Sequence, residues 1–278
     1  MILAEHLVTL DANKTFRVYP IGDMHATLRT FDEARFRRYV KTIADDPAGV
    51  AIVMGDVSDA RSRDHKFFAP GMVHPRFAIE DIDILESRVA EYAAELLAPL
   101  GDKVVGFLRG NHHQAAFTHT LRHLYYTATG HKPADLGDRC MVRVRVYRGD
   151  ESKSRFVYTI FAQHRTSGGR KPGSQVNQQI DNLASFDADL HLFAHSHKPI
   201  AHAHARVELP RTGALRLIRK NIVLITANAW VADVPEGANS YADEKGLPTT
   251  SDLCHYAEVT FRHLRSGDTV VTKYVVWD

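Results

Sequence analysis

Apolar and polar positions alternate over residues 15–22 (TFRVYPIG), the period-two pattern of a half-buried strand. The period then changes. In the following stretch, FDEARFRRYVKTIA, the residues Phe31, Phe36, Tyr39, Val40 and Ile43 recur on one face of a predicted helix. Residues 49–55 (GVAIVMG) form an unbroken apolar run, a buried strand. Between 78 and 98, Ile82, Leu85, Val89, Tyr92 and Leu96 fall at helical spacing, and Pro99 with Gly101 ends the element. KVVGFLRG at 103–110 supplies a third strand. Strands alternating with helices predict an α/β domain, in which ligands sit beyond the carboxyl ends of the strands.

The second half changes character. Residues 139–148 and 155–163 are β-rich, 174–185 read as a helix, 189–194 as a strand, and 199–209 and 214–226 as two more strands. The chain closes on a hairpin, HYAEVTFRHL followed by TVVTKYVVWD, with Ser266-Gly267 as turn chemistry. Two stacked sheets are predicted. Residues 233–252 are polar, rich in Gly and Pro and too long for a simple connector, so they read as a flap or a disordered segment. Neither repeats nor an interdomain linker break the chain, and 1–278 is read as a single domain.

Composition narrows the function classes. At 44% hydrophobic and 24% charged, 278 residues can bury a core without disulfides or a structural metal, so any metal is expected to serve chemistry. A net charge of +2 excludes a protein that coats nucleic acid nonspecifically, while leaving room for a local basic groove. Cys140 and Cys254 form no C-x-x-C pair, which points away from a disulfide framework or zinc ribbon and towards a reducing compartment. The opening MILAEHLVTL, interrupted by Glu5 and His6, does not read as a signal peptide. No apolar run reaches the roughly 18 residues that span a bilayer, so a soluble, cytoplasmic protein without a membrane partner is expected. The excess is in histidine, 17 in all.

Six of those histidines fall at strand ends. Gly22-Asp23-Met24-His25 follows the first strand, Gly55-Asp56-Val57-Ser58-Asp59 the second, and Arg109-Gly110-Asn111-His112-His113 the third. Further on, His164 closes the strand RFVYTIFA after Gln163, and Ala194-His195-Ser196-His197 closes DLHLF. Carboxylate, amide and imidazole donors without thiolates suit Mn, Fe, Zn or a similar divalent ion. Two such ions bridged by one carboxylate would suit phosphoester hydrolysis. Singly, each motif reads more simply as a turn or a helix cap. Five of them, in order and each at a strand terminus, point to one site.

At these residues the sequence resembles the calcineurin-like metallophosphoesterase superfamily, whose ordered motifs are D-x-H, G-D-x-x-D, G-N-H-[DE], a lone His, and G-H-x-H. The resemblance implies a four-layer α-β-β-α sandwich with two mixed β-sheets and a pair of divalent ions, manganese foremost, with iron, zinc, nickel or magnesium as alternatives. It implies that Asp23, His25 and His197 bind the first ion, that Asn111, His164 and His195 bind the second, and that Asp56 bridges them. It further implies attack by a metal-activated hydroxide, with His112 protonating the leaving oxygen and Asp59 orienting His112. Three positions depart from the pattern: His113 stands where Asp or Glu is usual, and Gln163 and Ala194 stand where Gly is common.

Substrate class is less defined. Arg109 matches an Arg of the protein phosphatase branch, but that branch has an Arg directly after the second Asp of its second motif, where this chain has Ala60 and then Arg61. The loop ARSRDHKFFAPGMVHPRF mixes Arg61, Arg63, Lys66 and Arg76 with Phe67 and Phe68 and reads either as a plain surface loop or as a substrate wall. Arg165 begins a Gly-rich basic segment beside His164 and is a candidate phosphate contact. A phosphodiester in nucleic acid or a nucleotide is favoured, with a phosphomonoester and a metal-free binding scaffold as alternatives. Elsewhere, His191 is expected to be a hydrogen-bonded core or interface residue, and His202 and His204 to face solvent.

Overall fold

The computed structural model describes residues 1–10, 15–59, 70–112, 115–148, 154–165, 171–209, 217–232, 251–264 and 267–278. Two six-stranded mixed sheets carry the architecture. The first runs in the order β1 (Ile2–Leu10), β6 (Arg139–Arg148), β7 (Ser154–Gln163), β8 (Leu190–Phe193), β10 (Ile218–Thr226) and β9 (Ile200–Glu208). The second runs β12 (Gly267–Trp277), β11 (Cys254–Leu264), β2 (Thr15–Ile21), β3 (Gly49–Val53), β4 (Val104–Leu108) and β5 (Ala134–Gly137). Strands β2 to β5 are mutually parallel, so their carboxyl ends lie along one edge.

Alternation along the strands builds the layers. Phe16, Val18, Val50 and Ile52 point between the sheets, onto Val144, Tyr158, Ile160 and Leu192. Tyr19, Ile21, Ala51 and Val53 point the other way, onto the helices α1 (Glu33–Asp45), α2 (Leu85–Leu97) and α3 (Ala115–Thr129). The fourth helix, α4 (Pro172–Ser185), covers the outer face of the first sheet, where Leu183 meets Phe161, Phe193 and Leu224. This is the expected α-β-β-α order. The stripe of α1 is as read, with Phe36, Tyr39, Val40 and Ile43 buried, but Arg35 is buried with them. Its guanidinium donates to Ala229 O and Asp252 O, both at 2.7 Å, and lies 4.9 Å over the Trp230 ring.

Several elements differ from the pattern reading. Residues 79–84, read as the first turn of a helix, form a tighter 3₁₀ segment in which Asp81 accepts from Ala78 N at 3.0 Å. β1, α3 and β5 emerge where no element was read. Most of residues 233–252 lie outside the described residues, as do Arg61, Arg63, Lys66, Phe67, Phe68 and Ser266.

Three histidines correct their expectations. His191 is fully buried, but neither ring nitrogen has a hydrogen-bond partner among the described residues; the Phe161 and Phe193 rings flank it instead. His202 and His204 are half-buried rather than solvent-facing. They pair with Leu224 and Ile222 of β10 and so share the face that α4 covers. Burial lowers the pKa of His191 to about 4. The unfolded chain, near 6.5, therefore takes up the proton first. The contribution of His191 to stability is expected to fall as pH drops from about 6.5 and to level off below about 4. His191→Leu should flatten that slope and raise stability at neutral pH by about 1–2 kcal/mol, measured by urea unfolding across the pH range. An unchanged slope would remove His191 as its source.

Candidate metal centre

Each motif enters the site from a strand end, and the backbone there is unusual. Among the described residues, the non-glycine positions with positive φ are Asp23 (41°), His25 (47°), Asp56 (44°), His195 (74°) and His197 (56°). A left-handed backbone costs an L-residue roughly 1–2 kcal/mol, so five such residues in one place mark a site. Main-chain hydrogen bonds hold the turns: Asp23 N donates to Gly55 O at 3.2 Å, His25 N to Asp56 O at 3.0 Å, and Ala26 N to Val57 O at 2.9 Å.

Asp56 sits at the centre, fully buried. Its Oδ1 accepts from Asn111 N at 2.7 Å and from His112 N at 3.1 Å. Its Oδ2 is buried with no donor in hydrogen-bond geometry, although His164 Nε2 lies 3.1 Å away. Glycine 110 makes this approach feasible, because a Cβ there would collide with Asp56 Oδ1 and N. Gly110→Ala is therefore expected to lose metal binding while keeping the sheet core. Metal analysis beside far-ultraviolet circular dichroism checks this, and full metal content in the variant would contradict it.

Donor atoms converge in threes. One atom each from Asp23, His25 and His197 lie within 4.8 Å of one another, as do atoms of Asp56, His164 and His195, and of His25, Asp59 and His112. His25 Nε2 and His197 Nε2 are 3.0 Å apart, and His164 Nε2 is 2.9 Å from Asn111 Oδ1. Donors about 2.1 Å from one ion stand roughly 3.0–3.4 Å apart at angles of 90–109°, so the spacing fits shared coordination. Protonation logic agrees. Met54 O, which can only accept, lies 2.7 Å from His164 Nδ1, so that nitrogen carries the proton. On the neutral ring Nε2 then turns a lone pair to two oxygens, an arrangement that either a metal ion or a second ring proton resolves.

Electrostatics tell the same story. Burial, partly offset by His164 and reinforced by the Asp56 charge, lifts Asp23 to about 7. Burial would raise Asp56 too, but His164 and His195 outweigh it and hold that carboxyl well below its usual range. Burial lowers His25 to about 4, and burial with the neighbouring His25 pushes His197 well below its usual value. His164 moves up despite burial, because Asp56 and Asp23 face it. The set is two buried carboxylates, an amide oxygen and four imidazoles, hard and borderline donors that fit divalent first-row ions.

His112 stands at the rim. Its Nδ1 is 2.6 Å from Asp59 Oδ1, its Nε2 is 3.8 Å from Asp56 Oδ2, and its ring meets that of His25 edge-on at 5.2 Å. Asp59 is aimed by residues the sequence reading passed over. Thr27 Oγ1 accepts from Asp59 N at 3.0 Å and lies 3.0 Å from Ser58 Oγ. Only the structure reveals this, since a Thr two residues past a D-x-H motif carries no signal of its own.

The three arginines fare differently. Arg109 pairs with Asp135 at 3.1 Å, Arg165 is exposed just past His164, and Arg61 lies outside the described residues. Of the three departures, His113 is likewise outside, and the Gln163 amide donates to Arg165 O at 2.5 Å. Ala194 is accommodated because Gly22 faces it; a Cβ on Gly22 would stand 3.3 Å from Ala194 Cβ and 2.8 Å from Ala227 Cβ.

Among solved structures, similar chains include a predicted phosphoesterase from Streptococcus pneumoniae, at 10% identity and a TM-score of 0.35, covering 93% of this chain and 98% of that one. A zinc complex of vacuolar protein sorting 29 from Entamoeba histolytica is 9% identical at a TM-score of 0.41, covering 94% and 99%. A metallophosphoesterase from Sphaerobacter thermophilus is 14% identical at 0.35, covering 94% and 88%. No curated protein sequence matches. The family model described as calcineurin-like phosphoesterase matches residues 16–199, about two thirds of the chain and every strand-end motif described above. The chain belongs to the calcineurin-like phosphoesterase family.

Proposed function

We propose that this single-domain chain is a two-metal phosphoesterase that hydrolyses a phosphodiester in nucleic acid or a nucleotide, with manganese as its preferred ion. The observation that carries the reading is the spacing of donor pairs: His25 with His197 at 3.0 Å, His164 with Asn111 at 2.9 Å and His164 with Asp56 at 3.1 Å. Asp23, His25 and His197 would hold one ion, Asn111, His164 and His195 the other, and Asp56 would be shared by both. Two such ions, when bound, acidify water and neutralise charge on a phosphoryl group.

The chain's own groups do the rest. Asp59 accepts the Nδ1 proton of His112 and thereby fixes tautomer and aim, leaving Nε2 to deliver a proton to the departing oxygen. The Asp56 and Asp23 carboxylates are fully buried, so bulk water does not compete for their oxygens. The cations and aromatics of residues 60–77 favour a diester over a monoester.

The test is hydrolysis of a chromogenic diester and the matching monoester with and without Mn²⁺. Mn²⁺-dependent preference for the diester is expected. Preference for the monoester would return the phosphatase reading, and activity on neither, with no bound metal, the binding scaffold.

A further inference from the structure

A second concavity adjoins the loop that carries His25 and takes no part in the donor set. Arg29, Val73, His74, Pro75, Phe77 and Ile82 line a cavity of about 310 Å³. That is the small end of the range for ligand pockets, roughly 300–1,000 Å³, and suits a single ring system with its substituents. The wall is tied to the site by main-chain bonds: Arg29 N donates to Met72 O and His74 N to Thr27 O, both at 2.7 Å. His25 O accepts from Leu28 N at 2.8 Å, closing a turn. Arg29 Cα therefore lies within about 11 Å of His25 Cα.

One side of the cavity is aromatic. The His74 and Phe77 rings are 6.1 Å apart, and both lean on Tyr92, at 5.8 and 5.9 Å. His74 Nδ1 accepts from Arg76 N at 3.2 Å, so the neutral ring carries its proton on Nε2. The Arg76 guanidinium is already committed, to Glu95 and to the Tyr92 face at 4.4 Å. Arg29 is different: it is exposed and lines the cavity, and among the described residues no carboxylate pairs with its guanidinium. A cation that no carboxylate of the described residues neutralises, beside a ring-sized, aromatic-walled space, is complementary to a flat ring carrying an anion.

We propose that this cavity seats one nucleotide unit of the substrate, with its base against Phe77 and His74 and a flanking phosphate on Arg29. The assignment rests on the phosphodiesterase reading and names the substrate portion that reading leaves open. It also gives the cavity a link to the chemistry. The residue whose carbonyl binds His74 N is Thr27, and the same residue's hydroxyl holds Asp59 N, which in turn places Asp59 against His112.

Calorimetry on the Mn²⁺-loaded protein tests it with three probes: thymidine 3′,5′-bisphosphate, thymidine 5′-monophosphate and inorganic phosphate. The base and the second phosphate are each expected to tighten binding about tenfold, giving a ladder of three affinities. Arg29→Ala should remove the bisphosphate rung alone, Arg29→Lys should restore part of it, and Phe77→Ala should remove the monophosphate rung. Affinities are read relative to inorganic phosphate on the same variant, so altered metal content or folding cancels. A bisphosphate advantage that survives Arg29→Ala, or equal binding of the monophosphate and inorganic phosphate to the unaltered protein, overturns the proposal. Turnover of methyl p-nitrophenyl phosphate is scored separately. Turnover without the ladder refutes the cavity and spares the diesterase, whereas the ladder without turnover refutes the diesterase and spares the cavity.

Discussion

Asp56→Asn is expected to lower turnover by about 10³-fold or more, some 4 kcal/mol of transition-state stabilisation, and to reduce bound metal to less than one ion per chain. The geometry leaves the amide no good orientation. Asp56 Oδ1 accepts two main-chain N–H groups, from Asn111 and His112, while Oδ2 faces His164 Nε2. An amide with its oxygen towards the N–H groups turns its NH₂ into the donor cluster; flipped, it sets donor against donor. The position is fully buried, so water cannot repair either choice. Elemental analysis beside steady-state rates checks this. A variant that keeps two ions and works within tenfold of the unaltered protein would exclude Asp56 as the bridge.

His112→Asn should behave in the opposite way. The ring is about one third exposed, and its side chain belongs to none of the first-ion or second-ion donor sets proposed above, so metal content should persist. Its main-chain N–H still reaches Asp56. Loss of a general acid costs about 10²–10⁴-fold, and the loss should be steepest for esters with alkoxide leaving groups and slight for p-nitrophenolate, which departs without a proton. A series of esters graded by leaving-group acidity measures that slope. Equal metal loss in the two variants, or an equal rate loss across the series, would contradict the division of labour.

The strand ends were readable because parallel strands buried on both faces are apolar runs, and a Gly-Asp or Gly-Asn after such a run stands out. Other features had no comparable contrast. In β1, Leu3 and Leu7 are exposed while Val8 and Leu10 are buried, so apolar residues occupy both faces and the alternation disappears. α3 buries only Phe117, Thr118, Leu121 and Tyr125, and its remaining histidines and threonines blur the helical stripe. β5, at four residues, is too short for any period to show. In the site, His164 looked ordinary in sequence and gains its meaning from Met54 O behind it and Asn111 in front. The burial of Arg35 has no local signal, because its partners, Ala229 O and Asp252, lie some two hundred positions away.

The left-handed turns at Asp23, His25 and Asp56 are tied by amide-to-carbonyl bonds among the strand termini, and the turn at His195 by its amide, which donates to the Asp23 carboxylate. The candidate donor atoms of those turns therefore inherit their placement from the strand termini. Loop sequences can then drift, lengthen or be exchanged without disturbing the reactive centre. Variation in the surrounding loops is then expected to change which ester binds before it changes how the candidate donors are held.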